Sequence, residues 1–131
     1  MGTRSFISKK LDDERYKYIY CHWDGYPEGV GAILKKHYTD PKKVDKLLNL
    51  GSISSLGKII GHKHNFDRFN MPKSRSDVVS TTAYHRDRGE KWEDVKPKYA
   101  NSKDDLIGLA SGVDYVYFFE NGKWSWVEIQ Y

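Results

Sequence analysis

The chain has one cysteine among its 131 residues, Cys21, so no internal disulfide can form. It has no apolar run approaching the roughly 20 residues that a membrane-spanning helix needs. Arg4, Lys9 and Lys10 interrupt the stretch where a secretory leader would carry its apolar segment. Phe6 stands where a myristoylation motif wants Ser or Thr. Gly-x-Gly-x-x-Gly and Gly-Lys-Ser/Thr are both missing, which excludes a dinucleotide fingerprint and a P-loop. There is no internal repeat, low-complexity tract or interdomain linker. These absences lead to the expectation of one soluble domain in a reducing cytoplasm, large enough to bury a core without cross-links or metal.

What is present is a mild positive charge and many aromatic rings. The net charge of +4 and pI near 9.0 allow a polyanionic partner without requiring one. Aromatic residues make up 15% of the chain, with ten Tyr and four Trp. Two readings follow: an exposed recognition face, or a small β-rich core with tyrosines at its margins.

Periodicity orders the elements. Residues 3–8 and 16–23 predict a hairpin across a charged turn. In the second run Tyr16, Tyr18, Tyr20 and His22 share one face, and Lys17, Ile19, Cys21 and Trp23 the other. Gly25 and Pro27 break the strand, and Val30, Ile33, Leu34 and His37 then fall at helical spacing over 28–38. Asp40-Pro41 starts a second helix with Val44, Leu47 and Leu48 as its buried stripe, ended by Gly51. Residues 52–60 read as a further short helix, 62–76 as an irregular basic loop, 78–84 as a strand and 91–98 as irregular. Ser102 caps a helix with Leu106, Ile107, Leu109 and Ala110 on its core side, and Asn121-Gly122 joins two terminal strands. The expected fold is α+β: a mostly antiparallel sheet of about five strands with the helices on one face.

Several groups are candidates for chemistry. His22-Trp-Asp24 and His85-Arg-Asp87 each place an imidazole two residues from a carboxylate, side by side if both lie on strands. Converging, the two units would bind a divalent metal or act as acid and base in a phosphodiesterase or hydrolase. The plain alternative makes Asp24 and Asp87 turn residues before Gly25 and Gly89. Arg86 and Arg88 on one strand face would form a fork for phosphate, with Arg4 as a third cation, or would serve as surface ion pairs. The segment 25–31 brings three glycines to a helix start, which accepts an anion or simply turns tightly. His62-x-His64 with Asp67 matches no helix-borne zinc spacing and reads as a solvated loop. Finally, Tyr115, Tyr117 and Phe119, Trp124 and Trp126, and Tyr16, Tyr18 and Tyr20 alternate on strands. They form a stacking platform for bases, an interface for a protein partner or a second copy of the chain, or the core.

At Met1-Gly-Thr-Arg-Ser5 and Tyr20-Cys-His-Trp-Asp-Gly-Tyr-Pro27 the chain resembles a group of short uncharacterised proteins of bacteriophages, prophages and bacteria. The resemblance continues through Leu50-Gly-Ser-Ile-Ser54, Ala83-Tyr-His-Arg-Asp-Arg-Gly-Glu90 and the terminal hairpin. The positions that match are Arg4, His22, Trp23, Asp24, Gly25, Tyr26, His85, Arg86, Asp87 and Arg88. The resemblance carries over no catalytic residue. It implies a phage-type accessory protein in the host cytoplasm, of the size common among counter-defence (anti-CRISPR-like) inhibitors. Such a protein binds RNA, a nucleotide or a host nucleoprotein immune complex. The ligand-contact residues expected on both grounds are Arg4, His22, Trp23, Asp24, Tyr26, Tyr84, His85, Arg86 and Arg88, with no cofactor and no metal.

Overall fold

The computed structural model describes residues 3–63 and 80–130. The first alternating runs form the expected hairpin: β1 (Ser5–Lys10) pairs antiparallel with β2 (Tyr16–Cys21), Phe6 opposite Tyr20. A π-helical turn (Pro27–Gly31) leads into α1 (Ala32–His37), and α2 (Pro41–Leu48) follows. The Asp40 carboxylate accepts from the Lys42 N–H at 2.9 Å, satisfying an orphan donor at the start of α2. Then come β3 (Ile53–Ser55), β4 (Thr82–Ala83), α3 (Tyr84–Arg88), α4 (Trp92–Val95), β5 (Lys98–Ala100) and α5 (Lys103–Gly108). The hairpin of β6 (Tyr115–Glu120) and β7 (Lys123–Glu128) ends the fold. Its turn residues Asn121 and Gly122 have φ of 53° and 73°, the pair of left-handed residues that a two-residue hairpin loop prefers.

The α+β class is as expected, but the sheet is mixed rather than mostly antiparallel. Among the described residues it has seven strands, ordered β4-β3-β2-β1-β6-β7, with β5 also beside β2. β1 runs parallel to β6 and β2 parallel to β3, while the other pairs are antiparallel. Helices also cover both faces, not one. The reason is visible in β6, which is apolar on both sides: Tyr117 and Phe119 face α1 and α2, and Val116 and Phe118 face α5. On the first side Leu34, Val44, Leu47 and Leu48 pack against Ile7 and Ile19; each fully buried aliphatic side chain contributes about 1.5–3 kcal/mol. On the second, Leu106 and Ala110 pack against Tyr16 and Tyr18.

Three local expectations give way. Residues 53–55 form a strand, because Ile53 pairs with both Cys21 and Ala83. Residues 84–88 form a helix instead of continuing a strand. The aromatic runs face opposite ways and are largely buried, so they make no single open platform. His64 and Asp67 lie outside the described residues. Among the described residues, no helix is long and apolar enough to cross a membrane.

Candidate functional site

β2 has two neighbours on the same side. Cys21 pairs with β3, and Tyr16, Lys17 and Tyr18 pair with β5. Where β3 and β5 part, a cleft of about 530 Å³ opens over Phe6, Tyr18 and Tyr20. Tyr84 and Glu90 border it on the α3 side, Lys96 and Lys98 at β5, and Leu109 at the end of α5. The Phe6 and Tyr18 rings meet with centroids 4.9 Å apart. Ser52 sets the spacing of the walls. Its hydroxyl accepts from the Tyr20 N–H at 3.3 Å, its carbonyl accepts from the Tyr84 N–H at 3.2 Å, and its own N–H donates to the Val95 carbonyl at 2.7 Å.

One sequence candidate, Tyr84, lines the cleft, and Arg4, His22 and Arg88 neighbour its tyrosines. The Tyr20 hydroxyl lies 2.8 Å from His22 Nδ1. Burial pushes the Tyr20 pKa up, and the nearby positive charge of Arg4 opposes that rise. Arg4 shares its face with Phe6 by strand alternation. Its backbone is fixed to Asp114: the Arg4 N–H donates to the carboxylate at 3.0 Å and the Arg4 carbonyl accepts from the Asp114 N–H at 2.9 Å. The Arg88 guanidinium stands 5.2 Å above the Tyr84 ring. Burial raises the Tyr84 pKa, while a hydrogen bond from Ser54 and the charge of Arg88 lower it.

The His-x-Asp units do not behave as strand pairs. Asp24 has left the strand with φ of 57°, its carbonyl accepts from the Val30 N–H at 2.8 Å, and its carboxylate accepts from the Tyr26 hydroxyl at 3.3 Å. Trp23 is exposed, with its ring edge-on to His22 at 4.6 Å. Gly25 is required where it stands. A Cβ there would lie 2.8 Å from the Thr3 carbonyl oxygen, and the Gly25 carbonyl accepts from the buried Tyr117 hydroxyl at 2.6 Å.

The second unit lies on α3, where residues two apart do not share a face. Asp87 is buried; its carboxylate accepts from the Ala83 N–H at 2.7 Å and from Arg86 Nε at 2.9 Å. Arg86 also donates to the carbonyls of Gly61 and Thr81, at 3.2 and 2.6 Å. The fork of Arg86 and Arg88 is thus corrected: Arg86 is an internal strut and Arg88 is exposed. His85 Nδ1 lies 2.7 Å from the Glu90 carbonyl oxygen, and the ring meets Trp92 at 5.2 Å. From the row Cys21–Ile53–Ala83 the chain leaves β2 and β4 in opposite directions, towards His22 in one and Tyr84 in the other. Among the described residues no three His, Cys, Asp or Glu side chains gather as a metal-ligand set.

Cys21 is fully buried and its thiol is pushed up to about 12, chiefly by desolvation, so it is not a nucleophile at neutral pH. Sequence reasoning did not single out Ser52, Phe6, Glu90 or Lys98, because the cleft depends on which strands flank β2. The one local signal was the Leu50-Gly-Ser-Ile-Ser54 segment, which carries Ser52. Chemically the cleft offers aromatic faces for a flat ring, the carboxylates of Glu90 and Asp94 for ring amines, and Lys96 and Lys98 for an anion. No family model, curated protein or solved structure matches this chain.

Proposed function

We propose that the protein is a non-enzymatic binding protein that takes a nucleotide, free or within an RNA, in the cleft between β3 and β5. The observation behind this reading is that Tyr20 and Tyr84 line one cleft, with Arg4 and His22 beside Tyr20 and Arg88 over the Tyr84 ring. Tyr20 and Tyr84 supply faces for a base, and base–aromatic stacking contributes about 1–3 kcal/mol per base. Arg4 and Arg88 hold phosphate, and Glu90 accepts from exocyclic amines. Trp23 and Tyr26, exposed on the adjoining loop, extend the contact to a ribose, a neighbouring base or the protein part of a nucleoprotein complex. In the setting that the resemblance implies, the ligand belongs to a host defence system and the protein acts as its inhibitor.

The alternative of a hydrolase needs His22, Asp24, His85 and Asp87 together, and Asp87 is engaged inside the fold. A protein-only inhibitor would use the exposed rings of Trp23, Tyr26 and Trp126. The test is purification from native cells with mass spectrometry of co-purifying RNA, nucleotides and proteins, followed by titration of the protein with nucleoside monophosphates. Tyr20→Ala and Arg4→Gln are expected to lose about tenfold or more in affinity while staying folded. A stoichiometric protein complex that survives nuclease, with no nucleotide bound, would overturn the reading.

A further inference from the structure

Charge is unevenly distributed along the chain. Residues 32–63 hold seven lysines against two aspartates, a net of five positive charges, whereas the whole protein carries +4. The fold gathers these lysines. Lys43 Nζ donates to the His37 carbonyl at 2.7 Å and to the Lys58 carbonyl at 2.8 Å, tying the end of α1, α2 and the segment after β3 into one surface. Lys42 and Lys46 border a shallow groove of about 510 Å³ beside Ile60 and Gly61. Burial first, and then the charges of Lys36, Lys58 and Lys43, disfavour protonation of His37, which sits among them at the end of α1.

Both aspartates are already engaged. Asp40 caps α2, and Asp45 pairs with Lys9 at 2.7 Å. Lys35, Lys36, Lys42, Lys46 and Lys58 make no ion pair among the described residues. Lys36, Lys42, Lys46 and Lys58 lie on this surface without a countercharge among the described residues, which points to a polyanion outside the protein.

We propose that the α1–α2 lysine face binds the sugar-phosphate backbone of a nucleic acid. Lysine ammonium groups act as point charges on phosphates and read no sequence. A membrane surface fits less well. Leu34, Val44, Leu47 and Leu48 are turned fully into the core, so neither helix has an apolar face to insert into lipid. The inference rests on the nucleic-acid class of the proposed function but on a separate surface: α1 and α2 cover the Ile7–Ile19 face of the sheet, and the cleft opens on the Phe6–Tyr20 face.

The experiment is fluorescence anisotropy of a labelled single-stranded RNA oligonucleotide, titrated with the protein between about 50 and 200 mM salt. The wild type is compared with a variant in which Lys35, Lys36, Lys42, Lys46 and Lys58 are all changed to Gln, and with Lys42→Gln/Lys46→Gln in case the fivefold variant misfolds. Each phosphate that the protein no longer neutralises should flatten the log–log salt slope by about 0.7. The fivefold variant is expected to flatten it by two or more such steps and to bind the oligonucleotide about tenfold or more weakly, with its melting temperature and mononucleotide binding unchanged. An unchanged slope and affinity would overturn the proposal, as would wild-type binding to phosphatidylserine vesicles without binding to RNA. Tyr20→Ala separates the two surfaces. Loss of mononucleotide binding with the polymer slope kept bears on the cleft, and loss of the slope in the lysine variants alone bears on this face.

Discussion

The hydroxyl of Tyr20, on β2, and Nδ1 of His22, just past its end, lie 2.8 Å apart beside the cleft. Tyr20→Phe removes that hydrogen bond and keeps the ring. It should cost about 1 kcal/mol of stability in urea denaturation and leave most of the stacking contribution to ligand binding. Tyr20→Ala should lose both. Equal affinities for the two variants would show that the ring does not contact the ligand.

Asp87 joins β4 to α3 through the Ala83 N–H and the Arg86 guanidinium. Asp87→Ala leaves a buried donor and a half-buried cation without this carboxylate and should destabilise by about 3 kcal/mol. Asp87→Asn keeps an acceptor for the Ala83 N–H and should cost less. Chemical denaturation of both variants gives the order.

Glu120 accepts from Lys103 Nζ and, at 3.1 Å, from the Tyr16 hydroxyl. The hydrogen bond from Lys103 lowers the Glu120 pKa below its ordinary 4.5. A lowered carboxyl contributes stability that is present above the ordinary value and lost as pH falls through the folded value. The urea midpoint of the wild type should therefore fall below about pH 4.5 more steeply than that of Glu120→Gln. At the other end Tyr16 is raised to about 12, chiefly by burial. Its neutral form contributes below pH 10.0, and that contribution is lost as pH rises towards 12. Superimposable acid limbs for wild type and Glu120→Gln would remove the basis for the first half.

Gly25→Ala would set a Cβ 2.8 Å from the Thr3 carbonyl oxygen and 2.9 Å from Ser5 Cβ. Both are held by β1 and its approach, so the loop must shift. The expected cost is about 1–3 kcal/mol, with a weaker ligand site because His22 and Arg4 flank the displaced segment. A melting temperature within error of wild type would show that the loop yields freely.

Local chemistry was readable in the sequence. Asn121-Gly122 closes the hairpin it predicts, and the side chains of Asp40 and Ser102 cap their helices, Ser102 Oγ accepting from the Asp105 N–H at 3.1 Å. Non-local pairing was not readable. Nothing near Ile53 states that Cys21 and Ala83 flank it, so residues 52–60 lacked the strand signal that the sheet supplies. Helix α3 is five residues long, and the Asp87 carboxylate reaching back to the Ala83 N–H helps hold it; a strand pattern ending at residue 84 gives no warning of that. Of the site, Arg4, His22, Tyr84 and Arg88 were legible as candidates from sequence. The cleft beside which they lie exists because two strands share one edge of β2, a fact of topology.

The parallel pairing of β1 with β6 also has a temporal consequence. Arg4 and Asp114, joined at the start of that pairing, are 110 positions apart in the chain. During synthesis the hairpin partner β2 emerges directly after β1, whereas the other flank of β1, Tyr115 to Glu120, is made near the end of the described chain. Until then the middle of the future sheet is an unpaired edge, and long-range pairings of this kind are the ones that slow folding and leave edges open to other chains.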